Sequence, residues 1–189
     1  MIPCTLPPAG NEEDAMSTQT TLAMPKIANG LNHVAYATSN TPETVRFYTE
    51  VMGFRLAHAV RSDYDPENGQ ARPFLHTFFE MGNGEVIAFF DIAGLAPKPH
   101  TDLPPWVRHL ALAVDSREAI MSWKAYLEGK GLKVMGPVDH DGVWLSIYFG
   151  DPNGVTLELT WQARALTQRD AEEAARMVAT WAAERTRAA

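Results

Sequence analysis

The chain reads as an α+β fold made of two tandem β-α-β-β-β modules, spanning 31-95 and 106-162, with an amphipathic helix at 163-189. Three observations predict this. Leu31-Asn-His-Val-Ala-Tyr-Ala-Thr38 aligns with Val107-Arg-His-Leu-Ala-Leu-Ala-Val114, so an internal repeat organises the chain. Each copy continues into a stretch with apolar residues at helical spacing that stops at glycine. Each closes on an Asn-Gly pair, Asn83-Gly84 and Asn153-Gly154, flanked by apolar runs, as in a β-hairpin.

Taken in order, residues 1-30 form a Pro/Gly/acid-rich tail expected to be partly disordered, and Met16 and Met24 are alternative starts. In each opening strand the His shares a face with two alanines, Ala35 and Ala37, then Ala111 and Ala113. Small neighbours beside an inward His leave room for a cavity. The first helix is predicted to start at Thr41-Pro42, capped by a hydroxyl, and to carry Val45, Tyr48, Val51 and Met52 up to Gly53. The second is predicted to start at Asp115, paired with Glu118 in a capping box, with Ile120, Trp123 and Leu127 as its stripe. Phe54-Arg-Leu56 and Leu132-Lys-Val134 open the following strands. A proline-rich segment, Asp91–Pro105, links the modules. The last helix, about Thr167 to Arg185, has Ala171, Ala174, Val178 and Trp181 on one face, expected to pack on the domain or on a second subunit.

Bulk properties exclude several classes. With 189 residues, 46% of them apolar, the chain can bury a core. A net charge of −7 gives no footprint for nucleic acid or an anionic membrane. Apolar runs such as Val86–Phe90 are far too short to span a bilayer, and the N-terminus lacks a secretory pattern. One cysteine, Cys4, excludes an intrachain disulfide framework and fits a cytoplasmic location.

The chemistry concentrates in two strands' worth of sequence. His33 and His109 occupy equivalent points of the repeat, and a pseudo-twofold pairing of modules would bring them face to face; singly, each would read as a hydrogen-bonded core histidine. Glu158 lies in Val-Thr-Leu-Glu-Leu-Thr with Thr156 and Thr160 on its face. A carboxylate turned into an apolar sheet is costly unless it meets a cation; the alternative is an edge position facing water. Two imidazoles and a carboxylate form a facial set suited to Fe(II). Pro152-Asn153-Gly154 suits a three-residue hairpin loop pairing Asp151 with Val155, a register that places Tyr148 directly across from Glu158. There the Tyr148 hydroxyl would donate to whatever the metal holds, or else be a packed aromatic. His140, in the preceding loop, is a candidate proton carrier or a surface histidine. His58 and His100 read as surface residues, and Trp106, Trp144 and the Phe74–Phe90 region as possible walls of an aromatic pocket.

This pattern resembles the vicinal oxygen chelate superfamily, which includes glyoxalase I, bleomycin- and fosfomycin-resistance proteins and extradiol ring-cleavage dioxygenases. The run Val138-x-His140, six residues, Ile147-Tyr148-x-x-Asp151-Pro152-x-Gly154, three residues, Glu158 is similar to the extradiol signature at every position. The likeness implies that His33, His109 and Glu158 bind Fe(II), with Mn²⁺, Zn²⁺ or Ni²⁺ as alternatives. It implies further that Tyr148 and His140 serve a catechol-like aromatic substrate and O₂, in a homodimer. Glyoxalase-like relatives place a fourth, carboxylate ligand where the repeat puts Ala88, which cannot ligate. The dioxygenases also carry another His just before the first module's last strand; here the segment reads Gly84-Glu85-Val86, so either Glu85 or His76 is the candidate substitute base or that step is absent. The competing readings are a glyoxalase-like isomerase, epimerase or lyase, and a metal-free small-molecule-binding resistance protein.

Overall fold

The computed structural model describes residues 31–96 and 107–188, with side chains of the terminal helix as far as Trp181. The tail with Cys4, most of the linker, His100 and Trp106 lie outside the described residues. The first module runs β1 (His33–Thr38), α1 (Thr41–Arg46), a π-helical turn (Phe47–Val51), β2 (Arg55–Tyr64), β3 (Ala71–Glu80) and β4 (Val86–Ile92). The second runs β5 (Leu110–Ala113), α2 (Arg117–Gly129), β6 (Met135–His140), β7 (Trp144–Gly150) and β8 (Thr156–Gln162), and α3 (Gln168–Ala188) follows. Each module folds one four-stranded mixed sheet, ordered β1-β4-β3-β2 and β5-β8-β7-β6, with the outer β1–β4 and β5–β8 pairs parallel. The repeat in sequence is therefore a repeat in topology. Among the described residues no helix is long and apolar enough to cross a membrane.

Both helix starts sit one residue from the expected cap. Asn40, not Thr41, caps α1: its side chain accepts from Glu43 N, which leaves the Thr41 hydroxyl to donate to Asp91 Oδ2 at 2.7 Å. Ser116, not Asp115, caps α2 by accepting from Ala119 N. In both places two capping residue types are adjacent, so the local pattern cannot choose between them.

One face of each sheet is apolar and closes over the helices. Ile87, Phe89 and Phe79 from the first sheet join Ile147, Phe149, Leu157 and Leu159 from the second, with Tyr48, Ile120 and Leu127 from the helical layer, in one continuous core. The modules also meet through polar groups. The Tyr48 ring, fully buried against Phe79 and Phe89, sends its hydroxyl to Asp151 Oδ2 at 2.9 Å. Burial, then the Asp151 charge, holds the Tyr48 phenol well above its ordinary pKa. A raised folded-state pKa means stability that is complete below pH ~10 and lost as pH rises toward the folded value. Wild type is therefore expected to lose more unfolding free energy between pH 8 and 11 than Tyr48→Phe, read from urea midpoints. Parallel losses in the two proteins would contradict this assignment.

The opposite faces of the two sheets stay open. Met177, Val178 and Trp181 of α3 are also exposed in the single chain rather than buried on the domain.

Candidate metal centre

The β7–β8 hairpin builds the site from the sequence upward. Asp151 N donates to Val155 O and Gly154 N to Asp151 O, closing the three-residue loop with Gly154 at φ 80°. Asp151 Oδ1 also accepts from the amides of Asn153 and Val155, at 2.8 and 2.7 Å. The expected register follows, with Tyr148 paired to Glu158. On the far side of β8, Ala111 of β5 pairs with Glu158. Cross-strand partners share a face, so Ala111, Glu158, Tyr148 and Thr160 point into the same open cup.

His109 stands one residue before β5, and its Nε2 lies 2.8 Å from Glu158 Oε2. The Glu158 side chain is only 7% exposed, so this imidazole is what meets the buried carboxylate. His140 ends β6 instead of lying in a loop, paired across to Trp144. From there its Nε2 reaches the Tyr148 hydroxyl at 2.9 Å. The Tyr148 ring in turn meets His109 edge-on, centroids 5.7 Å apart. His109, Ala111, His140, Trp144, Tyr148, Glu158 and Thr160 line one cavity of about 290 Å³. Burial first, then the Glu158 charge, raises the Tyr148 pKa, so the phenol is a proton donor at neutral pH.

The first module presents a different face. His33 begins β1, exposed, its Nδ1 2.7 Å from Asn32 Oδ1 and its ring 6.1 Å from Phe78. Within one chain it does not join His109 and Glu158: among the described residues no group of three His, Cys, Asp or Glu side chains is placed to hold a metal. Among the described residues, the cavity that holds His109 and Glu158 is lined by second-module side chains.

Glu85 stays at the tip of the β3–β4 hairpin, where its carboxylate accepts from Asn83 Nδ2 at 2.9 Å. It lines a separate cleft with Val34, Met81 and Leu112, away from the His140–Tyr148 pair. Ala88 pairs with Ala35 just as Glu158 pairs with Ala111, so the first module's equivalent position carries no ligand. His76 stacks on Phe90 (3.5 Å) and Phe78 (4.1 Å), and its Nε2 is buried with no hydrogen-bond partner. Burial, then His33, lowers its pKa. His58, read from sequence as a surface residue, is exposed but pairs with Phe78 on this same wall. The alternation Phe74, His76, Phe78 was the signal for a ring-lined face.

The donors suit a divalent cation chemically: an imidazole Nε2 and a buried carboxylate oxygen already converge, and a facial set asks for one more imidazole.

A family model described as the Glyoxalase/Bleomycin resistance protein/Dioxygenase superfamily matches residues 30–159. Biphenyl-2,3-diol 1,2-dioxygenase of Paraburkholderia xenovorans is 25% identical over 139 residues, 72% of this chain and 42% of that protein. The enzyme of the same name from Metapseudomonas furukawaii matches to the same extent. The chain thus spans about two-fifths of the length of the curated relatives it matches. A glyoxylase/bleomycin resistance protein/dioxygenase domain from Frankia superposes with a TM-score of 0.58 at 18% identity, covering 72% of this chain and 99% of that one. A Listeria monocytogenes fosfomycin resistance protein, solved with Mn(II) and a dihydroxypropylphosphonic acid, superposes with a TM-score of 0.51 at 20% identity, covering 76% and 98%.

Proposed function

The chain belongs to the glyoxalase/bleomycin resistance protein/dioxygenase superfamily, and from that premise we propose that it is a divalent-metal-dependent, extradiol-type dioxygenase that opens a catechol-like aromatic diol with O₂. The observation that carries this reading is the His140–Tyr148 pair, 2.9 Å apart, opening onto the same cavity as His109 and Glu158. A proton donor and a proton carrier beside a metal-ligating set suit a substrate that must lose protons as it binds and regain one as its ring opens. The absent carboxylate at Ala88 favours three ligands over four and leaves more positions for a bidentate diol and O₂. The 25% identity to an enzyme named for biphenyl-2,3-diol points to the same class.

His109 and Glu158 would hold the metal together with His33 of a second copy, in a homodimer whose facing cups each combine one first module with one second module. Fe(II) is the metal of the proposal, with Mn²⁺, Zn²⁺ and Ni²⁺ as alternatives. Bound there, it would supply Lewis acidity and the one-electron chemistry that O₂ requires. The chain's own part is positional and protic. Tyr148 donates its hydroxyl hydrogen to a diol oxygen lying next to Glu158, and His140 Nε2 holds or returns the proton through that hydroxyl. Trp144 and, in the proposed dimer, the second copy's ring wall around Phe78 and Phe90 would shield the cavity from water. Within one chain Glu85 lines a different cleft from the His140–Tyr148 pair.

Tyr148→Phe keeps the packing and removes the donor. Its kcat for catechol cleavage at saturating metal, followed as yellow product, is expected to fall roughly 100-fold. An unchanged kcat would remove Tyr148 from the reaction.

A further inference from the structure

We infer that Tyr48 and Asp151 form a positioning link by which the first module holds the second module's hairpin in the register that presents Tyr148 and Glu158 to the site. This rests on the proposed function for what the site does, but the link itself is a matter of geometry. Asp151 is 8% exposed and, among the described residues, is met by four neutral donors and no cation. Its Oδ1 binds the amides of Asn153 and Val155, fixing the loop, while Oδ2 accepts from Asn153 Nδ2 and from the Tyr48 hydroxyl. Three of these donors belong to the loop that Asp151 itself opens. Among the described residues only Tyr48 comes from elsewhere, 103 residues away. The Thr44 hydroxyl makes a second tie to the same loop, reaching Asn153 Oδ1 at 3.2 Å, and Thr38 Oγ1 lies 2.9 Å behind it.

The backbone beneath Tyr48 is an independent sign. The helix widens into a π turn over Phe47–Val51, where Met52 N reaches back to Phe47 O. Widened turns are rare and are found frequently at functional sites. Here the turn carries Tyr48, with its ring among Phe54, Phe79 and Phe89 and its hydroxyl delivered to Asp151. The register matters because the side-chain period of a strand is two: a one-residue slip at the loop would turn Tyr148 and Glu158 out of the cup. Tyr48 and Asp151 are thus positioning residues, acting on the site through the hairpin and touching none of its ligands.

The test is Tyr48→Phe, which keeps the ring and deletes the donor, against Ile120→Val, a core change on α2 that leaves every hydrogen bond to Asp151 in place and is chosen for a similar loss of Tm. In Tyr48→Phe the amides of Asn153 and Val155 are expected to exchange at least about tenfold faster, with α2 amides unchanged. The ring resonances of His109 and His140 are expected to shift or broaden, and Mn²⁺ affinity to fall about fivefold. Ile120→Val should leave all three at wild-type values. Unchanged hairpin exchange in Tyr48→Phe, equal changes in Ile120→Val, or faster exchange with unmoved His resonances would each overturn the link as a positioning device. Failure of wild type to bind Mn²⁺ would instead overturn the proposed function, and the exchange and resonance comparison would still decide this inference.

Discussion

Replacing Glu158 with alanine is expected to strip the protein of bound divalent metal and of turnover together. Among the described residues lining the cavity Glu158 is the one carboxylate, and its Oε2 is held 2.8 Å from His109 Nε2. Losing a hydrogen-bond partner of a metal ligand already costs 10–100-fold in affinity, so losing a charged ligand should cost at least roughly 100-fold, about 2.7 kcal/mol. The metal-free fold should survive. A buried carboxylate stabilises a sheet only as far as its partner offsets desolvation, and His109, with 31% of its side chain exposed, can take a hydrogen bond from water in its place. Metal-free Glu158→Ala is therefore expected within about 1 kcal/mol of wild type. Metal content after dialysis, measured beside Tm, separates the two effects. Retained metal with full activity would refute Glu158 as a ligand.

The second large effect is complementation between two dead variants. His33→Ala and His109→Ala should each be inactive alone if every site takes its first-module histidine from one copy and its second-module ligands from the other. Co-refolded in equal amounts, half the dimers are mixed, and each mixed dimer carries one intact and one doubly altered site. About one quarter of wild-type activity should return. Recovery of nothing, with mixed dimers verified by mass, would mean that His33 does not act across copies. The arrangement is motivated by the two open cups and by the absence of a three-ligand group among the described residues of one chain.

The modules and the hairpin register were legible because they depend on short-range chemistry. Gly154 closes its loop at positive φ, and a three-residue loop leaves only one pairing for Tyr148 and Glu158. The meeting of His109 with Glu158 was legible for a related reason, since β5 and β8 are neighbours by topology in any β-α-β-β-β unit. What distance decides was not legible. Asn40 and Thr41 are equally good caps until Asp91, far along the chain, takes the Thr41 hydroxyl. The π turn at Phe47–Val51 leaves no mark in the apolar spacing, and its purpose shows only once Asp151 is found against Tyr48. The separation of His33 from His109 depends on which faces of two similar sheets pack together. Both faces of β3 carry aromatic rings, Phe79 inward and Phe78 toward the cup, so composition alone could not choose.

The most direct test of the central claim is oxygen uptake by protein loaded anaerobically with Fe(II), across a panel of mono- and bicyclic catechols. The account predicts one O₂ consumed per diol, a yellow product, and loss of both signals in Glu158→Ala. Tight metal binding with no uptake on any diol would contradict it and move the chain to the isomerase and lyase branch of its superfamily.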